Sequence, residues 1–547
     1  MDSPAKPRIV PLPLLPLAGL AFLAVFPAIC ASANALAAPV ELEPNPDPTV
    51  EWIVEGRTVA LSGHVRFSRL ILRHHAVVTH PPQDGPDARS LFLEVGHLTI
   101  DATSRIDVSA RGFPGVRNPD SDASNRPDPA HVGVVPQRHG GSHGGLGGRG
   151  NVPGDAIPPY GDHRQPRSLG LGGSADIGSA GDGGGLLRLV ADTLELDGSI
   201  LANGGPGSLY GGGGAGGSIE IQTRLLLGAG EIRADGGHGS PQSGGGGGGR
   251  VAVLYRTASG GILDRISTLG GTGHEQGAPG TLFTIRDSTP GRLIIRGPGR
   301  ETPLPADTSG DLVTVDGARV QALSFRALEL FLRRGAVLTH VPPSPGSHPG
   351  LSLAVDHLVI EAGSHIDAAG RGYPGAQTQT NPDTAGRTLN FQPGSRSRHG
   401  GSHAGLGGFG NIDGNPNAPY GEPSHPNTLG SGGGSDNGPA GDGGGRIAII
   451  AQRLELHGTL SVRGTDGSRY GGGGSGGSIL IQADYLSGSG SVLADGGAGG
   501  LESGGGGGGL IAIRYLRSDF PASRISSQGG DGYQPGAPGS VLVEPRF

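Results

Sequence analysis

The 547-residue chain contains 110 glycines and 45 prolines and has a formal charge of −7. Lys6, Cys30 and Met1 are the only residues of their kinds, and all three fall in a segment expected to be removed. That excludes a Schiff-base or P-loop lysine, a cysteine nucleophile, a thiolate metal site and disulfide staples, and without a basic cluster no nucleic-acid binding is expected.

In chain order, Lys6 and Arg8 precede a nearly unbroken apolar stretch over 9–29, and small residues follow at Ala31-Ser32-Ala33 and Ala35-Leu36-Ala37. This layout predicts a signal peptide over 1–37, cleaved after Ala33 or Ala37. A membrane anchor is the alternative, but Pro11, Pro13, Pro16 and Pro27 interrupt the stretch and no positive stop-transfer cluster follows it. No later stretch is long and apolar enough to cross a bilayer as a helix. The mature chain is therefore expected to lack a transmembrane segment and to be secreted or held at the cell surface. Residues 38–58, with the sole tryptophan Trp52, are expected to form an N-terminal cap.

Beyond the cap the chain is duplicated. His139-Gly-Gly-Ser-His143 returns as His399-Gly-Gly-Ser-His403, Tyr210 with its four glycines as Tyr470 with four, and Ala234-Asp235 as Ala494-Asp495, all at an offset of 260. One half spans 59–288 with a long insertion at 113–184, and the other spans 311–547 with an insertion at 373–444. The glycine- and proline-rich stretch 289–310 joins them, with Leu293-Ile294-Ile295 as its one strand-like break. An insertion that long between regular units is either functional or disordered.

Within each half, apolar bursts begin at Leu187, Ile219 and Val251, and again at Ile447, Ile479 and Ile511, so the period is 32 residues. Each burst alternates apolar and polar residues, the two-residue period of a strand with one face buried. No single unit could bury that face alone. The repeat thus predicts an all-β solenoid, a right-handed parallel β-helix with glycine-rich loops along one edge. The glycine runs 244–249 and 504–509 are either flexible loops or extended strands packed so closely that only glycine fits. Equal loop length in successive units favours the ordered alternative.

The block 139–148, Pro159-Tyr160-Gly161, the run 181–185 and the stretch 244–253 resemble glycine-rich right-handed parallel β-helix proteins of bacterial surfaces and secreted matrices. The resemblance implies an extracellular, adhesin-like scaffold and transfers no catalytic residues.

His139 with His143, and His399 with His403, are the best metal-ligand candidates, with Asp182 and Asp442 as third ligands. The competing expectation is that these histidines pack across glycine backbone and bond to carbonyls. Asp182, Asp235, Asp442 and Asp495 each precede a glycine tract, where a carboxylate can fix a turn. Tyr210 and Tyr470, together with the four histidines, are candidate binding residues, although each tyrosine ring could equally plug the base of its loop. Gly237-His238-Gly239 is similar to a piece of a polygalacturonase site. The second copy has Gly497-Ala498-Gly499 instead, and lysine is missing from the rest of the chain, which rules that family out. The expected function is a structural or adhesive protein binding a polysaccharide or a surface protein, with no cofactor. The alternative is a polysaccharide lyase or hydrolase working beside the insertions.

Overall fold

The structure, a computed structural model, describes residues 40–41, 51–82, 90–116, 135–287 and 289–546. The signal-peptide expectation lies outside the described residues, as do the 38–39 and 42–50 parts of the cap. The unit running from Val40 onward is all-β and is built mainly from three sheets. The largest has fifteen strands, from Glu51–Glu55 to Ser540–Pro545, and the other two have seven strands each.

The 32-residue rhythm becomes strand register. Leu187, Ile219 and Val251 are direct partners on three parallel neighbours, Leu186–Leu196, Ser218–Leu227 and Arg250–Ala258. Ile447, Ile479 and Ile511 pair in the same way in the second half. A one-residue slip would turn every burst out of the shared core and put its polar residues there instead, so the apolar pattern fixes the register. In Leu186–Leu196 the buried positions alternate, break at Asp192 and Thr193, and resume at Leu194. The long strand therefore turns a corner there.

A short strand follows each long one: Ser199–Leu201, Glu231–Arg233 and Ile266–Ser267 lie side by side in a seven-stranded parallel sheet. Ile200, Ile232 and Ile266 from these short strands meet Leu187, Ile219 and Val251 in one buried cluster. The second half repeats the arrangement with Leu460 and Val492 against Ile447 and Ile479.

The joint 289–310 belongs to the large sheet. Arg292–Arg296 pairs antiparallel with Thr281–Arg286 on one side and parallel with Leu312–Asp316 on the other. A parallel neighbour needs a crossover of a dozen or more residues. The few residues between Arg286 and Arg292 cannot supply one, so the direction reverses once. Leu293 and Ile295 are buried there.

Beside the joint, the Asp316 carboxylate, almost fully buried, accepts from Arg296 at 3.2 Å and Arg333 at 3.1 Å, and also pairs with Arg334. Asp316→Ala should lower stability by about 1–2 kcal/mol in urea unfolding. A buried pair broken on one side costs more than this, but these arginines are part-exposed and can turn to water.

Candidate binding surface on the glycine bundle

The glycine runs are ordered, and their hydrogen bonds show how. In 244–249, Gly244 and Gly247 donate to Arg138 O and Gly141 O, Gly245 and Gly248 to Glu275 O and Ala278 O, and Gly246 and Gly249 to Gly237 O and Ala234 O, at 2.7–3.0 Å. The partner changes with every residue and recurs every third. This is the three-residues-per-turn geometry of a polyproline-II-type helix, which has no internal hydrogen bonds and must find them on its neighbours. The run 504–509 repeats the scheme onto Arg398 and Gly401, Gln534 and Ala537, and Gly497 and Ala494. The runs before the other long strands do the same: Gly213 and Gly216 donate to Gly244 O and Gly247 O.

Glycine is required because the neighbours sit where a side chain would begin. A Cβ on Gly246 would lie 1.9 Å from Gly214 O, and one on Gly245 would lie 1.9 Å from Gly271 O. The described part of each insertion is woven into this bundle: residues 139–148 bond to the 211–217 and 244–249 runs, so part of the long insertion is ordered packing material.

This weave places the four candidate histidines. All are fully buried. His139 has Gln137 O 2.7 Å from Nδ1 and Gly154 O 3.1 Å from Nε2. His143 donates from Nδ1 to Gly216 O at 2.8 Å, and His403 donates to Gly476 O at 2.8 Å while its Nε2 accepts from Thr428 Oγ1 at 2.7 Å. The carbonyl acceptors assign the proton to Nδ1 in both rings. At His399, Nδ1 accepts the Gly410 N–H at 2.9 Å. Burial pushes the His143 pKa down to about 3, with the Arg250 charge acting in the same sense, and pushes His403 down to about 4. Asp182 and Asp442 accept the N–H of Gly115 and Gly375 at 2.8 and 2.7 Å. Among the described residues no group of three or more His, Cys, Asp or Glu side chains is placed to hold a metal ion, so the ligand sets His139, His143, Asp182 and His399, His403, Asp442 are not assembled as such.

Tyr210 and Tyr470 stand elsewhere, at the outer turns of the loops, each half-buried. Each ring carries an arginine: Arg138 lies 4.6 Å from the Tyr210 centroid and Arg398 lies 4.5 Å from that of Tyr470. Arg138 also donates to Asp176 Oδ2 at 2.8 Å and Asn151 Oδ1 at 2.8 Å. Arg398 does the same to Asp436 Oδ2 at 2.8 Å and Asn411 Oδ1 at 2.9 Å, and reaches Glu502 at 2.6 Å. Both arginines have left-handed backbones, φ +58 and +67, a conformation that costs a non-glycine residue energy and tends to occur at functional positions. Exposed apolar side chains flank the tips: Leu209 and Ile177 beside the first, Leu501 beside the second.

Reading the sequence for chemistry missed Arg138, Asn151, Asp176, Arg398, Asn411 and Asp436, because members of each cluster are far apart in the chain. The offset of 260 does relate them one to one, and that signal could have found them.

The sequence matches no protein-family model and no curated protein. No helix among the described residues is long and apolar enough to cross a membrane.

Proposed function

We propose that this is an exported adhesive protein of the parallel β-helix type, a right-handed, internally duplicated solenoid, and that it binds carbohydrate through the two tips of its glycine bundle. One observation carries the reading: the same Arg, Asp, Asn and Tyr side chains are brought together twice, each time around an arginine with a strained backbone. A few fixed polar groups beside an aromatic ring suit a ligand with apolar ring faces and hydroxyl edges. Two such tips on one chain give avidity on a repeating polymer. The resemblance to bacterial surface proteins supports export, as does the amino-terminal layout.

The enzyme alternative has less support. An open groove of about 520 Å³ on the large sheet, with no insertion residue in its lining and so not the cleft beside the insertions, holds Glu94 and Asp192. Glu94 is bonded to Arg66 at 2.9 Å, and Asp192 lies 3.7 Å from Arg224. Hydrogen bonding from His64, then Arg66, lowers the Glu94 pKa, the opposite of what a general acid needs.

A glycan array on the mature chain tests the proposal. Binding should fall at least tenfold in Tyr210→Ala/Tyr470→Ala, and by less in either single variant on polymeric glycans. If the wild-type chain ignores every glycan, or the double variant binds as the parent does, the carbohydrate role is lost.

A further inference from the structure

A second site lies away from the tips, where the first insertion crosses the large sheet. His163 sets its ring edge-on to Phe283, with centroids 5.5 Å apart, and Tyr160 O accepts from Arg250 Nε at 2.9 Å. The joint supplies the facing wall, Pro303 to Asp307, and between the walls is a cavity of about 390 Å³.

Arg250 lines this cavity and is only 5% exposed. Its Nη1 donates to Thr281 Oγ1 at 3.0 Å. Among the described residues no carboxylate comes within ion-pair distance of it and Nη2 has no hydrogen-bond partner. His163 is also 5% exposed, and its Nε2 is likewise without a hydrogen-bond partner, the nearest carboxylate oxygen being Asp311 Oδ2 at 3.8 Å. The other charges nearby are committed elsewhere. Arg164 spans Asp307 at 2.8 Å and Asp311 at 2.7 Å, while Asp162 is 60% exposed and accepts the Arg164 N–H.

The duplication supplies the comparison. At the position equivalent to Arg250 the second half has Leu510, fully buried and in the same register, next to Ser478 as Arg250 is next to Ser218. The fold therefore accepts a leucine there, and an arginine only 5% exposed and without a carboxylate partner is a cost the architecture does not impose. The second half has Arg446 where the first has Leu186, donating to Asn427 O at 3.3 Å. Pinning an insertion thus accounts for the Arg250 bond to Tyr160 O, but not for its unused nitrogen at the cavity.

We propose that this cavity binds a carboxylate-bearing sugar, a uronate, with Arg250 taking the oxyanion and His163 Nε2 offering a second contact. Arginine presents a planar fork to such groups. The apolar wall of Pro159, Pro303, Leu304 and Pro305 suits the face of a sugar ring. No tip residue takes part, so this site and the tips stand or fall separately.

The test is calorimetric titration and thermal unfolding of the mature chain with sodium glucuronate, sodium sulfate and glucose at matched ionic strength, for wild type, Arg250→Leu and Arg250→Lys. Saturable binding of glucuronate, with or without sulfate, is expected for wild type. It should be lost in Arg250→Leu and weakened about tenfold in Arg250→Lys. Binding of sulfate alone would mean a free-anion site and overturn the sugar assignment. Equal response to glucose, no saturable binding, or an anion response that survives Arg250→Leu would overturn the proposal. In the last case Arg250 only pins the insertion. Should Arg250→Leu fail to fold, the Arg250→Lys titration decides.

Discussion

Gly246→Ala is expected to abolish the cooperative unfolding transition or to lower stability by about 3 kcal/mol or more, read by far-ultraviolet circular dichroism in a urea series. The methyl would lie 1.9 Å from Gly214 O and 2.5 Å from its carbonyl carbon. Both are backbone atoms of a neighbouring run, which is itself tied by Gly214 N–H to Gly205 O. Nothing there is the flexible end of a side chain, so relief requires moving a whole run and the bonds on its other sides. The backbone angle is not the obstacle, because alanine adopts the polyproline II region freely. Gly205 is the control within the same bundle. A Cβ there meets its nearest atom at 3.1 Å, and the second half carries Thr465 at the equivalent position. Gly205→Ala should fall within about 0.5 kcal/mol of the parent, the range of a benign substitution. If the two variants unfold alike, the bundle is not the tightly packed body described above.

The strands were legible because side chains report them. A burst such as Ile219-Glu220-Ile221 has only one register that puts both isoleucines in the shared core, and the partners found, Leu187 and Val251, are those the 32-residue spacing implies. The antiparallel strand Arg292–Arg296 was legible as a strand but not in its direction, which depends on the length of the connection before it. The bundle was legible only as a choice between order and flexibility. A run of identical glycines does not say which neighbour Gly247 will bond, and the weaving of 139–148 between two runs has no side-chain pattern behind it. For the same reason the histidines offered no clue to which side they face: with glycine around them there is no periodicity to distinguish a buried imidazole from an exposed one. The tip clusters are the reverse case. Their chemistry is plain once assembled, but Arg138, Asn151, Asp176 and Tyr210 meet only because three separate loops end at one place.

Those buried imidazoles should make the protein acid-labile, with the unfolding free energy falling steeply between pH 6.5 and pH 4. His143 is held at about pKa 3, and His403, His163 and His340 at about 4, with burial the largest cause in each. In the unfolded chain each titrates near 6.5. Below that pH the unfolded state binds protons that the folded state refuses, so stability declines as pH falls and is fully present only above about 6.5. For His143 and His403, both fully buried, the loss by pH 4 is on the order of 3 kcal/mol each. His163 and His340 add to it over the same window. Asp311 and Asp442, pushed up by burial, act in the opposite sense, but only as the pH nears the carboxylate range. His143→Asn/His403→Asn keeps a donor near the Gly216 and Gly476 carbonyls without a titrating ring. It should start less stable at pH 7, yet lose about half as much between pH 6.5 and 4. A double variant with the parent's slope would place the acid sensitivity elsewhere, since only a group that changes protonation on unfolding can set that slope.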